Sequence, residues 1–154
     1  MSAAQTIHDD RVLTVTRMFD APRKTVWDAW IDFNHAHHFD GPAGHPMKSM
    51  RSDLRVGGTW RNVMRHDGQE LPQSGVYREI KAPDVLSFTF AWEDDKGERG
   101  HETLVTVTFE EIARDKTRLT LQQGVFPTTQ NRDGHRQGWN RALDAFQQFV
   151  AERQ

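Results

Sequence analysis

The 154-residue chain contains no cysteine, which excludes disulfide bonds and thiolate-based zinc sites and suits a reducing compartment. It has no stretch approaching the roughly 20 apolar residues of a membrane-spanning helix. Its N-terminus, MSAAQTIHDD, has neither the basic start nor the apolar run of a signal peptide. We therefore expect a cytoplasmic protein without a membrane span.

The chain also lacks an excess of one charge. Its formal net charge is −2, and acidic and basic residues are interspersed along it. This balance gives no electrostatic reason for a nucleic-acid partner or a membrane surface. The sequence shows no G-x-S-x-G motif, no phosphate-binding loop and no carboxylate pair of the glycosidase type. Nothing in it calls for a cofactor.

Aromatic residues, by contrast, are plentiful, with five tryptophans and nine phenylalanines. Each of these side chains buries a large area, so even a chain with only 36% hydrophobic residues can build a core. The length predicts a single domain over residues 1–154, with an ordered core from about 11 to 152. The same aromatic residues could fill that core or line a cavity within it.

Hydrophobic periodicity predicts the order of the elements. Residues 11–19 are β-rich, and a short helix follows to about Asp32. Six β-rich segments joined by short turns come next, and Trp139, Leu143, Phe146 and Val150 then recur at helical spacing. We predict an α+β fold: a curved antiparallel sheet of about seven strands around one long C-terminal helix, with two short helices after the first strand.

Alternation along the strands predicts which side chains face that helix. One strand turns Phe88, Phe90 and Trp92 inward, and another brings in Trp60, Asn62 and Met64, while the last brings in Gln123. The residues 74–80 allow two registers. Val76 and Ile80 would bring Arg78 inward, whereas the other register brings in Tyr77 and Glu79. We prefer the first register, since it places two apolar side chains in the interior.

This inward set combines bulky aromatic rings with a few polar groups, namely Asn62, Arg78 and Gln123. Such a mixture is typical of a small-molecule pocket. The alternative is a filled core whose polar residues lie at its wet ends. We favour the pocket, because one helix seldom fills the concavity of a strongly curved sheet.

The segment FNHAHHFDGPAG holds three of the eight histidines. On a helix His35 and His38 would share a face at i, i+3, and Asp40, His45 or His66 could complete a metal site. Structural zinc needs four ligands and catalytic zinc three, and no recognised spacing such as H-E-x-x-H is present, so we predict no metal. The simplest interpretation is a solvated helix and loop, and the alternative is a functional group at the rim of a pocket.

Several segments in the right order resemble one family. They are TRMFDAPRKTVWDAW, GPAG, DLRVGGTWR, SGVYREI, ETLVTVTF, TRLTLQQ and GWNRALDAF. Together they resemble the START-like SRPBCC superfamily, in the subfamily named for activators of the Hsp90 ATPase. The resemblance implies a helix-grip fold with a deep, largely apolar cavity between sheet and long helix. Phe39 and Asp40 stand where that family usually has a tryptophan, at what is the cavity mouth in relatives.

We therefore expect the protein to bind a small hydrophobic or amphipathic molecule in that cavity, as a monomer or a homodimer. One alternative is an enzyme of the cyclase or hydrolase type, using His38, Arg78 or Glu79. Another is a co-chaperone-like interaction module, which is less expected because the namesake activator carries this fold behind a separate N-terminal domain. The residues expected at the binding site are Trp30, His38, Phe39, Trp60, Asn62, Met64, Arg78, Phe88, Phe90, Trp92, Gln123, Trp139 and Leu143.

Overall fold

The computed structural model describes residues 10–35, 38–40 and 47–153, with side chains described for 10–35, 50–65 and 67–153. In this part of the chain eight strands and two helices follow one another. They are β1 (Leu13–Phe19), α1 (Arg23–Asn34), β2 (His38–Asp40), β3 (Met47–Ser52), β4 (Thr59–His66), β5 (Gln69–Lys81), β6 (Val85–Trp92), β7 (Thr103–Ala113), β8 (Lys116–Gly124) and α2 (Thr129–Glu152).

All eight strands form one antiparallel sheet in the order β1-β8-β7-β6-β5-β4-β3-β2. Strands β2 to β7 are each paired with the next strand in sequence, as expected when short turns connect them. β1 completes the sheet by pairing with β8. The predicted α+β helix-grip fold, a curved antiparallel sheet with one long C-terminal helix, is confirmed.

The segment after α1 differs from the prediction. We expected a second short helix there, but within the described residues α1 is the one helix between β1 and β3. His38–Asp40 instead forms the extra strand β2, in which His38 pairs with Arg51 and Asp40 with Ser49. Three extended residues suffice to cover part of the β3 edge, whose backbone groups would otherwise lack partners on that side.

Each helix has a recognisable start. Pro22 precedes α1 in an extended conformation, with a φ of −61° that is compatible with a first helical turn. Val26, Trp27, Trp30 and Phe33 then bury one face of α1. The Thr128 side chain caps α2 by accepting a hydrogen bond from the Asn131 backbone N–H at 3.0 Å. No described helix combines the length and the apolar character needed to cross a membrane.

A β-bulge in β5 decides which residues of this strand face inward. The pairing with β6 advances from Tyr77 opposite Phe88 to Glu79 opposite Ser87, so β5 carries one extra residue. Tyr77 is fully buried, Arg78 is exposed, and Ile80 nevertheless packs against the core. The prediction that Arg78 faces inward is therefore wrong. The inward position of Ile80 misled it, because the bulge breaks strict alternation between residues 76 and 80.

Aromatic contacts fill the core between α1, α2 and the β1–β8–β7 side of the sheet. The Phe146 ring lies 5.3 Å from that of Phe19 and 5.1 Å from that of Trp30, both in edge-to-face geometry. Trp27 meets Phe109 at 5.2 Å. Offset and edge-to-face pairs of this kind each add to the stabilisation from buried area. The part of the same sheet face formed by β4 to β6 is packed less completely and borders a cavity.

Candidate functional site

A cavity of about 450 Å³ lies between the sheet and α2, beside the C-terminal end of α1. Its volume falls within the roughly 300–1,000 Å³ of small-molecule sites. It is lined by Trp30, Phe33, Asn34, His35, Trp60, Asn62, Met64, Arg65, Leu71, Gln73, Phe88, Phe90, Trp92, Gln123, Gly134, His135, Gly138, Trp139, Arg141, Ala142 and Ala145.

Most of the residues expected at a binding site lie on this lining. They are Trp30, Trp60, Asn62, Met64, Phe88, Phe90, Trp92, Gln123 and Trp139. The inward faces of β4, β6 and β8 therefore meet α1 and α2 around one space, as the alternation predicts. That these side chains bind a ligand remains a prediction.

The other expected site residues are placed elsewhere or lie outside the described part. Leu143 is fully buried in the filled core, one helical turn beyond Trp139, and does not line the cavity. Arg78 is exposed. The backbone of His38 and Phe39 forms β2, but their side chains lie outside the described residues.

Trp60 forms one wall of the cavity because a glycine lets it lie close to the sheet. Its indole Nε1–H donates to the Thr89 carbonyl at 3.2 Å, across Gly75 on the strand between them. A Cβ added at Gly75 would lie 1.8 Å from that carbonyl oxygen and 2.7 Å from Trp60 Nε1. Gly75 is thus required for this close approach. The Trp60 ring in turn contacts Phe88 at 5.5 Å and Phe90 at 5.9 Å between ring centroids.

The two helices contribute a stacked pair of tryptophans. Trp30 of α1 and Trp139 of α2 lie 6.3 Å apart with an interplanar angle of 21°. Trp139 Nε1–H donates to Gln123 Oε1 at 2.7 Å, and Gln123 Nε2 donates to Thr103 Oγ1 at 2.9 Å. Gln123 therefore lines the cavity, but its amide is bonded to Trp139 and Thr103. This role differs from the ligand-orienting one that we expected for Gln123.

Two glycines on α2 border the cavity. Neither of them is required by a close approach of the helix to the sheet. A Cβ added at Gly138 would meet one Arg141 side-chain atom at 4.0 Å, and one added at Gly134 would meet nothing within 4 Å. Both glycines weaken the helix by roughly 1 kcal/mol relative to alanine. They keep the space beside α2 open.

His35 is a buried histidine that our sequence interpretation placed in a solvated loop. It is only 4% exposed, and its backbone N–H closes α1 by bonding to the Ile31 carbonyl. Its Nδ1 lies 2.9 Å from Tyr77 Oη, which lies 2.7 Å from Ser52 Oγ. Burial lowers the pKa of His35 to about 3 and raises the pKa of Tyr77. The alternative register for residues 74–80, which turns Tyr77 inward, was the one sequence feature that could have identified Tyr77 as a partner of His35.

His135 on α2 was also missed. It lies one turn before Trp139, so extending the helical stripe by four residues would have found it. Its Nε2 accepts a hydrogen bond from the Trp92 indole N–H at 2.8 Å, and its ring packs 4.7 Å from that of Phe126. Burial lowers its pKa to about 4. Since Nε2 is the acceptor in the neutral ring, Nδ1 carries the proton.

The residues around this cavity carry buried polar atoms that lack a hydrogen-bond partner. In the described part of the chain they are Trp30 Nε1, His35 Nε2, Asn62 Oδ1, Gln73 Nε2 and His135 Nδ1. All five residues line the cavity. Leaving one such group unsatisfied costs about 1–3 kcal/mol, and native proteins rarely tolerate this. Side chains with open hydrogen-bonding capacity are therefore concentrated around this cavity.

A second concavity, of about 620 Å³, is lined by residues of β3, β4 and β5 together with Arg99. Its arginines are largely neutralised: Arg61 pairs with Glu93 at 3.0 Å and Arg99 with Glu102 at 2.9 Å. None of the five unpartnered atoms belongs to its lining. Although this groove is larger, the cavity beside α2 is the better candidate for a binding site.

The described residues contain no group of three or more histidine, aspartate or glutamate side chains arranged to hold a metal ion. His45 lies outside the described residues, and so do the side chains of His38, Asp40 and His66. His35, which we considered as a ligand, is instead engaged with Tyr77 through Nδ1.

Comparison with protein families gives a match over residues 20–151 to the family described as activator of Hsp90 ATPase homolog 1-like protein. This range covers most of the chain and includes every lining residue of the cavity. Comparison with curated proteins finds no match.

Several solved structures share the fold. A solution structure of a protein from Arthrobacter aurescens has a TM-score of 0.74 at 23% identity, and the match covers 93% of this chain and 87% of the Arthrobacter chain. The crystal structure of an AHSA1 protein from Silicibacter pomeroyi has a TM-score of 0.73 at 23% identity, covering 93% and 99%. CalU16 from Micromonospora echinospora has a TM-score of 0.66 at 24% identity, covering 90% and 75%. At these identities the likeness establishes the fold and nothing finer.

Proposed function

The chain belongs to the family of activator of Hsp90 ATPase homolog 1-like proteins, and from this premise we propose that it binds a small hydrophobic or amphipathic molecule in the cavity beside α2. The observation that supports the proposal is that all five residues with an unpartnered buried polar atom line this one aromatic cavity. A core packed only for stability would not leave both the space and the hydrogen bonds open.

The walls supply the apolar part of the binding energy. Trp60, Phe88 and Phe90 line one side on β4 and β6, and Trp139 lines the other on α2. Burying apolar ligand surface against them is worth about 25 cal/mol per Å² before the entropic costs of association. The unpartnered polar groups then fix the orientation of the ligand, as in other small-molecule sites.

The test is a thermal-shift screen of the purified protein against small hydrophobic acids, sterols, flavonoids and fatty acids. A ligand at 100 times its dissociation constant adds about 2.7 kcal/mol of stability. For a domain of this size the unfolding midpoint then rises by roughly 5–10 °C. A hit establishes binding, and its location is decided by the variants below.

Two substitutions on α2 form a matched pair. Ala142→Phe places a ring in the cavity, whereas Ala151→Phe places the same ring on the exposed surface of the same helix. We expect the first variant to abolish the ligand-induced shift and the second to retain it. A hit that survives in both would place its binding site elsewhere. Silence across the library would direct attention to protein partners.

A second candidate function is an enzyme of the cyclase or hydrolase type. It is favoured by the hydrogen bonds that connect Ser52 to Tyr77 and Tyr77 to His35. Tyr77 has one proton and two hydrogen-bond partners, so it donates to one and accepts from the other. Depending on this choice, His35 Nε2 is a donor or an acceptor, which suits proton transfer. Arg78 is exposed and Glu79 pairs with Lys81 at 3.0 Å, so neither matches His35 as the candidate group.

Turnover of the screening hits distinguishes an enzyme from a binder. If the protein is an enzyme, His35→Gln removes turnover by a factor of roughly 100 or more while the hit still binds. If products never form with any hit, including in overnight incubations, the catalytic candidate fails and the binding proposal is unaffected.

A further inference from the structure

Three hydrogen bonds connect the Trp139 indole to three strands of the sheet. Trp139 Nε1–H donates to Gln123 Oε1 at 2.7 Å, and Gln123 Nε2 donates to Thr103 Oγ1 at 2.9 Å. The Thr103 hydroxyl in turn donates to the Phe90 carbonyl at 3.4 Å. Gln123 is fully buried and Thr103 is 6% exposed. We call these four groups the Trp139 network, which joins α2 to β8, β7 and β6.

The direction of every hydrogen bond in the Trp139 network is fixed. An indole N–H can only donate and a backbone carbonyl can only accept, so the two ends allow one orientation of the groups between them. The Gln123 amide turns its oxygen to Trp139 and its nitrogen to Thr103, whose hydroxyl proton is then left for Phe90. A buried network whose members all have partners is rigid and specifies one arrangement of its side chains.

The indole that this network holds lies on the boundary between the cavity and the filled core. Trp139 stacks on Trp30 at 6.3 Å, and both of these residues line the cavity. On the core side, Phe146 contacts the Trp30 ring at 5.1 Å, and the fully buried Leu143 follows Trp139 by one helical turn. Neither Phe146 nor Leu143 belongs to the lining. The position of the Trp139 ring therefore decides where the cavity ends.

We infer that Thr103 and Gln123 are positioning residues that limit the length of the ligand, because they hold the Trp139 indole as an end wall of the cavity. This inference rests on the proposed function and adds what sets the size of its ligand. Thr103 does not belong to the cavity lining, so it acts through Gln123. Without this network the indole is free to rotate, and its space becomes available to a longer molecule.

The position of the indole is tested without any ligand, by NMR of the full chain. The Trp139 indole N–H signal is identified by its loss in Trp139→Phe. Thr103→Val keeps nearly the same shape but removes the hydroxyl. The indole proton should then exchange with solvent faster by roughly twofold to tenfold, which corresponds to one hydrogen bond. Thr103→Ser restores the hydroxyl and should restore the slow exchange.

Thr117→Val is the matched control for loss of a buried hydroxyl group. Thr117 is fully buried on β8, and its hydroxyl donates to the Ala21 carbonyl at 2.8 Å, outside the Trp139 network. This variant should lose stability but keep the slow exchange of the Trp139 indole proton. If it speeds that exchange as much as Thr103→Val does, the effect is general destabilisation and the positioning role is wrong.

The length limit is tested with straight-chain alcohols from hexanol to tetradecanol, which displace the fluorescent probe N-phenylnaphthylamine. In the wild type the affinity should rise by roughly fourfold per CH₂ group until the cavity is filled, and then stop rising. In Thr103→Val and Gln123→Met the rise should continue, so that the longest alcohols bind roughly fourfold or more tighter than to the wild type. Thr103→Ser and Thr117→Val should keep the wild-type limit.

The outcomes separate this inference from the proposed function. If Ala142→Phe blocks the alcohols but Thr103→Val leaves their length limit unchanged, the cavity binds ligands and the inference is wrong. An affinity that rises through the whole series in the wild type also overturns it. If no alcohol binds, or Ala142→Phe does not block binding, the length limit is wrong whatever the exchange rates show, and the thermal-shift screen decides the proposed function. Gln123→Met decides if Thr103→Val does not fold.

Discussion

The two halves of α2 face different interiors. In the C-terminal half Leu143, Phe146 and Val150 are buried, and the Phe146 ring contacts three other aromatic rings. In the N-terminal half Gly134 and Gly138 leave open space, and His135 and Trp139 are only partly buried. One continuous helix thus packs a filled core at one end and borders a cavity at the other. A filled core and an open cavity can therefore be built on separate stretches of the same helix.

We call the C-terminal half of α2 with its surroundings the filled half, and the N-terminal half the cavity half. The largest loss of stability should come from truncating a buried ring in the filled half. Phe146→Ala is expected to cost about 3–5 kcal/mol of unfolding free energy, because the ring is surrounded and the site cannot collapse. Phe90→Ala, which truncates a residue on the cavity lining, should cost less, about 2 kcal/mol, because it enlarges an existing space rather than opening a new one in a filled core. Urea unfolding of both variants measures the difference. Equal losses would mean that the cavity half is packed as tightly as the core.

The second prediction concerns pH and the buried histidine of the cavity half. Burial lowers the pKa of His35 from 6.5, its value in the unfolded chain, to about 3 in the folded protein. Between these values the unfolded chain binds the proton and the folded protein does not, so stability falls as the pH drops below 6.5. From pH 7 to pH 5 this histidine alone should remove about 2 kcal/mol.

His35→Gln provides the control, because glutamine keeps a hydrogen-bonding group near Tyr77 but does not titrate. The free energy of unfolding of both proteins is measured by urea titration between pH 7 and pH 5. The wild type should lose stability more steeply than the variant as the pH falls. Parallel curves would show that the pKa of His35 is the same in the folded and in the unfolded chain.

These two halves also differ in how well the sequence predicts them. The filled half follows from periodicity: Phe146 and Val150 share the helical stripe, and Leu119 and Leu121 alternate on β8, all as expected. The meander order, the long helix and the inward faces of β4 and β6 could be predicted for the same reason. Regular elements have fixed periods, so their buried faces can be derived from the sequence.

The cavity half departs from strict periods, and there the prediction fails in part. The bulge after Tyr77 exchanges which side chains face inward, and no local pattern in SGVYREI marks it. His35 stands at the end of α1, where helical spacing no longer applies, and its burial depends on the distant Tyr77 and Ser52. Hydrogen bonds between residues that are dozens of positions apart depend on the tertiary fold, so local sequence patterns cannot predict them.

The third prediction tests the start of the cavity half. Thr128 caps α2 at the end that receives less support from packing, so Thr128→Ala should cost about 1 kcal/mol. Thr129→Ala, the adjacent substitution inside the first turn, leaves this cap intact and should cost less. Thermal unfolding of the two variants provides the comparison. The idea fails if Thr129→Ala is the more damaging of the pair.

The smallest effect should be a gain. Gly138→Ala adds a methyl group at a position with open space around it, and alanine favours the helix over glycine by up to about 1 kcal/mol. The variant should therefore be more stable by roughly 0.5–1 kcal/mol in urea unfolding. If it is less stable, the helix approaches its neighbours at this point and the cavity is smaller than described. A gain in stability accompanied by weaker ligand binding would show that the glycine is kept for the space it leaves, which is the property that distinguishes this half of α2 from the other.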